Sequence, residues 1–280
     1  MKLSMSVMLG GVATAALTLG CSGSGAASGD APPMKTGAAA TAACGPDALI
    51  DDGEDQNNQV IVQKGRAGYW YTYVDDNKST IEPTAGKLGG TFTMSPGGAN
   101  GSQYAARMWG TLGPSGTVYC GMGMNFLDPK EPYDASMYGG VKFYARKGPG
   151  STEKVRLKIP DVSTDPDAGK CKECYNDFGV TFPVTDAWTE YVLPFELAKQ
   201  EPYWGDEFPR ITPSKLYALQ WQVNTNGAPY DIYVDDIAFV GCDSATGTPA
   251  AAPPPAAAPA PAAPAAAPAD PAAPAAVPVE

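Results

Sequence analysis

The sequence predicts an all-β protein whose folded part is a two-sheet antiparallel β-sandwich, flanked by disordered termini. Turn-forming pairs such as Asn100-Gly101 and Asn226-Gly227 recur at roughly ten-residue intervals through the middle of the chain. Between these turns lie short runs in which apolar and polar side chains alternate, as in strands that bury one face. A helical turn or two is predicted at residues 195–200, before Pro202. About ten strands with so little helix indicate a sandwich.

Three runs show the alternation most clearly, and their apolar positions define the face that we expect to be buried. These positions are Val118, Cys120, Met122, Met124 and Phe126 in the first run, Val155, Leu157 and Ile159 in the second, and Leu219, Trp221 and Val223 in the third. Further strands are predicted at residues 68–75, 102–110, 139–146, 188–193 and 230–240. In the strand at 68–75, we interpret the stripe of Tyr69, Tyr71 and Tyr73 as mainly part of the core.

The two ends of the chain differ in composition from the middle. Residues 1–20 are predicted to be a signal peptide, because Lys2 precedes an apolar stretch too short to span a bilayer. Residues 21–43, rich in Gly, Ala and Ser, are predicted to be a flexible tether. Residues 243–280, nearly all Ala and Pro, are predicted to be a disordered, extended tail. One folded domain at residues 44–242 remains.

The segment that ends at Cys21 reads Leu-Thr-Leu-Gly-Cys and resembles a lipobox. The resemblance implies that Cys21 is lipidated and that the protein is held at the bacterial outer membrane, on the periplasmic or the outer side. An ordinary secretory peptide is the alternative. We expect contact with the membrane through this lipid anchor only, and we expect a monomer.

Composition excludes several classes of function. The chain of 280 residues contains no His and has a formal net charge of −11. Without His, Ser-His-Asp, Cys-His and His-zinc chemistries are excluded. No run of Lys or Arg is long enough to follow a phosphate backbone, so a nucleic-acid partner is not expected.

The cysteines fit an oxidising compartment. If one of the six carries lipid, five remain, and at least one must stay unpaired or pair between chains. One pair brackets the folded region, another forms a Cys-x-x-Cys sequence, and the last occupies an inward strand position. We therefore predict the disulfides Cys44–Cys242 and Cys171–Cys174 and a buried thiol at Cys120.

Three segments carry a resemblance to a known family. They are Leu-Ile-Asp-Asp-Gly-Glu-Asp at 49–55, Gly-Tyr-Trp-Tyr-Thr-Tyr at 68–73 and Tyr-Val-Asp-Asp-Ile at 233–237. Residues 47–241 resemble galactose-binding-like jelly rolls, notably family 11 carbohydrate-binding modules and related domains of myxobacterial lipoproteins. The resemblance implies a β-jelly roll that binds glycan without cleaving it.

The same resemblance implies a structural calcium ion held by acidic side chains of the first and last strands. Hard oxygen ligands from adjacent strands suit Ca²⁺. The residues to which we assign this role are Glu54, Asp235 and Asp236. Solvated charges without an ion are the alternative.

Glycan binding requires aromatic faces together with amides and charged groups, and the outward strand positions supply both. The candidate ligand-binding residues are Tyr119, Asn125, Trp109, Arg107, Arg156, Asp177, Gln220, Gln222 and Asn224. Tyr119 and Asp177 also fall near positions where the family contacts its ligand. Strand parity points Tyr119 outward on the same face as Gly121 and Gly123, whose missing side chains should leave its ring uncovered. Ordinary solvated polar side chains are the alternative for each of these residues.

The leading hypothesis is therefore a non-catalytic, polysaccharide-binding lipoprotein of the bacterial envelope. A structural or assembly lipoprotein that binds a protein partner with the same sandwich is the second hypothesis. A β-sandwich glycosidase is the third, because paired carboxylates need no His. The chain lacks the Glu-x-Asp-x-x-Glu strand motif of such enzymes, so we do not expect an enzyme.

Overall fold

The computed structural model describes residues 37–86 and 92–242, which form two antiparallel sheets with very little helix. The strands are β1 (Leu49–Asp51), β2 (Trp70–Val74), β3 (Thr80–Glu82), β4 (Ser95–Pro96), β5 (Tyr104–Thr111), β6 (Cys120–Asn125), β7 (Gly140–Lys147), β8 (Lys154–Ile159), β9 (Phe178–Pro183), β10 (Thr189–Pro194), β11 (Ala218–Val223) and β12 (Pro229–Val240). The prediction of an all-β, two-sheet sandwich is confirmed. The signal peptide, Cys21 and the tail at 243–280 lie outside the described residues.

A seven-stranded sheet has the order β10-β7-β12-β5-β3, with β1 added to β12 and β4 added to β5. The long strand β12 organises this sheet. One edge of β12 pairs with β7, while the other pairs first with β5 and then with β1. A five-stranded sheet has the order β2-β6-β11-β8-β9. Each sheet therefore has one inward and one outward side.

The helices in the described part of the chain are short. They are α1 (Gly37–Thr41) and the 3₁₀ turns Pro46–Ala48, Pro166–Ala168, Phe195–Leu197 and Pro213–Lys215. The turn predicted at 195–200 is thus present as a single 3₁₀ turn. No helix in residues 37–86 and 92–242 has the length and apolar character needed to cross a membrane.

Large aromatic side chains join the two sheets. Trp70 of β2 stacks on Trp221 of β11 with their ring centroids 5.7 Å apart, and both side chains are fully buried. Trp221 in turn meets Phe143 of β7 edge to face at 5.4 Å. Because β7 belongs to the other sheet, this contact closes the core between the layers. Burial of three such rings contributes several kcal/mol of hydrophobic stabilisation.

Helix α1, which precedes Cys44, contacts two glycines near the end of the described chain and before β7. Helix α1 packs Ala40, which is fully buried, against Gly139 and Gly241. A Cβ on either glycine would lie within 2.5 Å of the Ala40 backbone, so only glycine admits this contact. Gly241 N also donates a hydrogen bond to the carbonyl oxygen of Ala42. The small side chains of this segment therefore permit close backbone contact between α1 and the two glycines.

Both expected disulfides are present. Cys44 is bonded to Cys242 with a Cα–Cα distance of 5.5 Å, and Cys171 is bonded to Cys174. Cys120 is a free, buried thiol on the inward side of β6. The first disulfide fastens the segment before β1 to the end of β12.

Candidate functional site

The outward side of the five-stranded sheet presents two parallel rows of polar and aromatic side chains. Strand pairing aligns Tyr71, Gly123, Gln220, Lys158 and Gly179 in one row. It aligns Tyr73, Gly121, Gln222, Arg156 and Thr181 in the next row. Tyr119 directly precedes β6 and lies beyond the second row, on the same side of the sheet. We call this surface, defined by Tyr71, Tyr73, Tyr119, Gln220 and Gln222, the tyrosine face.

The tyrosines of β2 lie on this outward side, so our assignment of the stripe to the core is wrong. Trp70 and Thr72 are the buried residues of the strand, with 0% and 6% of their surface exposed. Tyr71 and Tyr73 are half-buried. The pairing of β2 with the glycines of β6 explains their position, since those glycines leave room for two rings.

Gly121 and Gly123 do not leave the Tyr119 ring uncovered in the way the sequence suggests. The ring of Tyr73 occupies the space over Gly121, where a Cβ would lie 2.2 Å from its Cζ atom. Gln220 occupies the space over Gly123, where a Cβ would lie 2.8 Å from its Cγ atom. Tyr119 itself is 37% exposed and lies beside Tyr73, with ring centroids 6.2 Å apart. Its outward orientation is as predicted.

Side-chain hydrogen bonds fix the rings and amides relative to each other. Gln220 Nε2 donates to Tyr71 Oη at 2.8 Å, and Tyr73 Oη donates to Gln222 Oε1 at 3.4 Å. Lys158 Nζ also donates to Gln222 Oε1, at 3.4 Å. Gln220 Oε1 and Gln222 Nε2 make no hydrogen bond with any described residue. One acceptor and one donor thus stay available beside two oriented rings.

Burial sets the protonation of the tyrosine hydroxyls. It raises the pKa of Tyr71, although the hydrogen bond from Gln220 opposes this shift, and it raises the pKa of Tyr73 well above its ordinary value. Burial also raises the pKa of Tyr119. All three hydroxyls therefore remain protonated at neutral pH and act as donors as well as acceptors.

Three of the predicted ligand residues, in or next to this sheet, are buried, and two of them are bound by other parts of the chain. Asp177 is 2% exposed, forms an ion pair with Lys158 at 3.1 Å and accepts a hydrogen bond from Thr164 Oγ1 at 2.6 Å. Arg156 is 9% exposed and donates to the backbone carbonyls of Asp177 and Lys199. Asn125 is 5% exposed. Strand parity points Arg156 and Asn125 outward, and the family resemblance suggests Asp177, but neither predicts that the three side chains are buried.

Asn224, another predicted ligand residue, is exposed and lies just after the end of β11. It follows Val223 directly and lies at the end of the tyrosine face. Tyr175, which is 61% exposed, directly follows the Cys171–Cys174 disulfide. A loop residue of this kind leaves no periodic signal in the sequence.

Arg107 and Trp109 do not belong to the tyrosine face, which corrects their assignment to a common site. Both lie on β5 in the seven-stranded sheet, where Arg107 pairs with Tyr233 and Trp109 with Asp231. The Arg107 guanidinium lies over the Trp109 ring, 4.5 Å from its centroid. Parity correctly predicts that they point outward, but it does not tell which sheet a strand joins.

The acidic residues predicted to bind calcium gather around the loop before β5. Glu54 Oε1 accepts hydrogen bonds from Ser102 Oγ and from the backbone N–H groups of Gln103 and Tyr104. Asp235 accepts bonds from the N–H groups of Ala99 and Asp236. Burial raises the pKa of Asp235 to about 7. Within residues 37–86 and 92–242, no three acidic or Cys side chains form a group arranged to hold a metal ion.

Comparisons with known proteins give structural similarity only. No protein-family model matches the chain, and no curated protein sequence matches it. The chain is similar in structure to family 11 carbohydrate-binding modules. One such module, from a cellulosomal cellulase of Clostridium thermocellum, has a TM-score of 0.48 at 13% identity over 69% of this chain and 94% of the module.

Two other similar structures are a family 30 module and an agarase. The module, from another cellulosomal cellulase of Clostridium thermocellum, has a TM-score of 0.44 at 13% identity over 69% of this chain and 98% of the module. An exo-β-agarase has a TM-score of 0.42 at 10% identity over 69% of this chain and 24% of the agarase. At such identities and TM-scores, the function has to be argued from the side chains of this chain.

Proposed function

We propose that the protein binds polysaccharide on the tyrosine face and does not cleave it. The observation that supports this proposal is the placement of two half-buried tyrosine rings beside Gln220 and Gln222. Aromatic rings offer a flat apolar surface to the apolar side of a sugar ring, while amides orient its hydroxyl groups. The hydrogen bonds from Gln220 to Tyr71 and from Tyr73 to Gln222 hold this surface in place before a ligand arrives. Such preorganisation lowers the entropic cost of binding.

The charges beneath the face favour binding over hydrolysis. A retaining glycosidase needs two carboxylates about 5–5.5 Å apart at the scissile bond. Asp177 is buried under the surface and paired with Lys158, so its carboxylate is held by the protein itself. Its role is to fix Lys158, which in turn orients Gln222.

The test is a neutral glycan array probed with the wild type and with Tyr119→Ala. We expect the wild type to bind at least one glycan class and the variant to bind about 1 to 3 kcal/mol more weakly, with a nearly unchanged melting temperature. Tyr144→Ala is the matched control, because Tyr144 is a half-buried, outward tyrosine of the other sheet. Absence of binding by the wild type would favour the protein-partner hypothesis.

We further propose that lipid on Cys21 anchors this domain to the outer membrane, on the basis of the lipobox resemblance. Cys21→Ser should release the protein into the soluble fraction and abolish labelling by fatty acid. Fatty-acid labelling of the variant at the wild-type level would contradict the anchor.

A further inference from the structure

The outward side of the seven-stranded sheet carries a second ordered set of aromatic and charged side chains. We call it the arginine face, defined by Trp109, Arg107, Tyr233, Arg146 and Trp188. These residues come from β5, β12, β7 and the position just before β10. Each arginine lies between two aromatic rings, so the five side chains form one continuous ladder across four adjacent chain segments.

The distances within the ladder are those of cation–π contacts. The Arg107 guanidinium carbon lies 4.5 Å from the Trp109 centroid and 4.7 Å from the Tyr233 centroid. The Arg146 carbon lies 3.7 Å from the Tyr233 centroid and 5.3 Å from the Trp188 centroid. Contacts within about 6 Å are attractive and restrict the orientation of the guanidinium. Both arginine side chains are therefore held in place by the rings.

The two arginines differ in what their N–H groups bind. Arg107 donates to both oxygens of Asp231, from Nε at 2.8 Å and from Nη2 at 3.0 Å. The Arg146 guanidinium makes no hydrogen bond and no ion pair with any described residue, although the backbone of Arg146 pairs with Tyr233 in the sheet. Its five donors stay free although its aromatic contacts fix the plane of the group.

Arg146 differs from the other basic side chains on β5 and β7 because each of the others forms an ion pair. Lys142 pairs with Glu190 at 2.9 Å, Lys147 pairs with Asp186 at 2.8 Å, and Arg107 pairs with Asp231. Of the four basic residues on these strands, Arg146 is the one whose side chain forms no ion pair with a carboxylate of the described residues. The ladder thus carries one uncompensated positive charge.

The guanidinium of Arg146 is half-buried, and the residue that lies next to it has no side chain. Gly97 lies against the guanidinium without a side chain, and a Cβ there would be 3.5 Å from Arg146 Nη2. Gly97 has φ of +100°, a conformation that disfavours any residue with a side chain. Trp188, half-buried, offers an apolar ring on the opposite flank.

We propose that the arginine face is a second binding site, for a carboxylate-bearing sugar such as a uronate unit of an acidic polysaccharide. A guanidinium pairs with a carboxylate through two parallel hydrogen bonds. A uronate carries its carboxylate on the same ring whose apolar face would stack on Trp188. The ligand thus complements the charge and the ring within a single sugar unit. An acidic peptide supplies the charge without the flat apolar face.

The proposal does not depend on the tyrosine face, and affinity electrophoresis separates the two. Native gels contain polygalacturonate, the same polymer after reduction of its carboxyl groups, or polyglutamate. We expect polygalacturonate to retard the wild-type protein more strongly than either of the other two polymers does. Tyr119→Ala should keep this retardation, even where it has lost binding to neutral glycans.

The decisive variant is Arg146→Gln, which should weaken binding to polygalacturonate about 10- to 100-fold. Lys142→Gln is the control, because it removes the same charge from the same strand where a carboxylate already neutralises it. Arg146→Lys keeps the charge but lacks the planar guanidinium, so it should also bind more weakly than the wild type. This variant tests the proposal even if Arg146→Gln folds poorly. Equal retardation of Arg146→Gln and wild type, or of wild type in all three polymers, would overturn the proposal.

Discussion

Gly121 is the residue on which the geometry of the tyrosine face depends most directly. Its missing side chain lets the Tyr73 ring lie across β6, where a Cβ would come within 2.2 to 2.6 Å of two ring carbons and the hydroxyl oxygen. We expect Gly121→Ala to displace the ring and to weaken glycan binding, while the strand itself tolerates alanine. Gly45→Ala is the control, because a Cβ there has no neighbour within 4 Å. Unchanged binding by Gly121→Ala would show that the position of Tyr73 does not matter for the ligand.

Asp51 should make the stability of the fold depend on pH. This carboxyl is 1% exposed and accepts a hydrogen bond from Trp70 Nε1, and burial raises its pKa from 3.8 to about 7. Between pH 4 and 7 the folded state therefore holds more protons than the unfolded state, so this residue lowers the stability as the pH rises. The slope is at most about 1.4 kcal/mol per pH unit.

Asp51→Asn removes this titration, and urea unfolding at pH 5 and pH 7.5 measures the effect. Relative to the wild type, the variant should gain stability between the two values. Asp55→Asn, at an exposed position, is the charge-matched control. A constant difference between wild type and Asp51→Asn would mean that Asp51 is already ionised at pH 5 in the folded protein.

At the scale of elements, alternation along a strand determined which side chains point inward, but not which strands are neighbours. The predicted inward positions Val118, Cys120, Met122 and Met124, and Leu219, Trp221 and Val223, are all buried, as alternation requires. The separation of Arg107 and Trp109 from Tyr119 depends on β5 joining β12 and β3. That pairing is a long-range choice that local periodicity does not encode. The tyrosines of β2 were misassigned because both faces of that strand are aromatic or apolar, so alternation gave no contrast.

The disulfide between Cys44 and Cys242 should contribute more to the free energy of unfolding than the disulfide between Cys171 and Cys174 does. The residues are 198 apart in sequence, and a cross-link over such a loop contributes about 5 kcal/mol in the chain-entropy model. The Cys171–Cys174 link, over a separation of 3, contributes about 2 kcal/mol.

The paired variants Cys44→Ser with Cys242→Ser and Cys171→Ser with Cys174→Ser can be compared by urea unfolding. The first pair should lower the free energy of unfolding more than the second. Equal losses would indicate that residual structure in the unfolded chain, rather than loop entropy, sets the effect.

For the molecule as a whole, the calcium hypothesis stays a prediction. If Glu54, Asp235 and Asp236 hold an ion, a chelator should lower the melting temperature, because an ion that binds only the folded state stabilises it by mass action. Added calcium in excess should restore the transition, and magnesium should not. Identical melting curves with and without chelator would show that these carboxylates hold no ion and only accept hydrogen bonds from the loop before β5.

The position of the Cys44–Cys242 disulfide also decides how the domain responds to mechanical load. Tension applied through residue 37 at one end and residue 242 at the other passes along the chain to Cys44 and then directly across the sulfur–sulfur bond. The two sheets, which lie between these cysteines in sequence, are connected in parallel with that bond and bear almost none of the force. In the oxidised protein, pulling on the ends should therefore stretch a covalent link and leave both faces intact, whereas in the reduced protein the same force would peel β12 from β7 and β5.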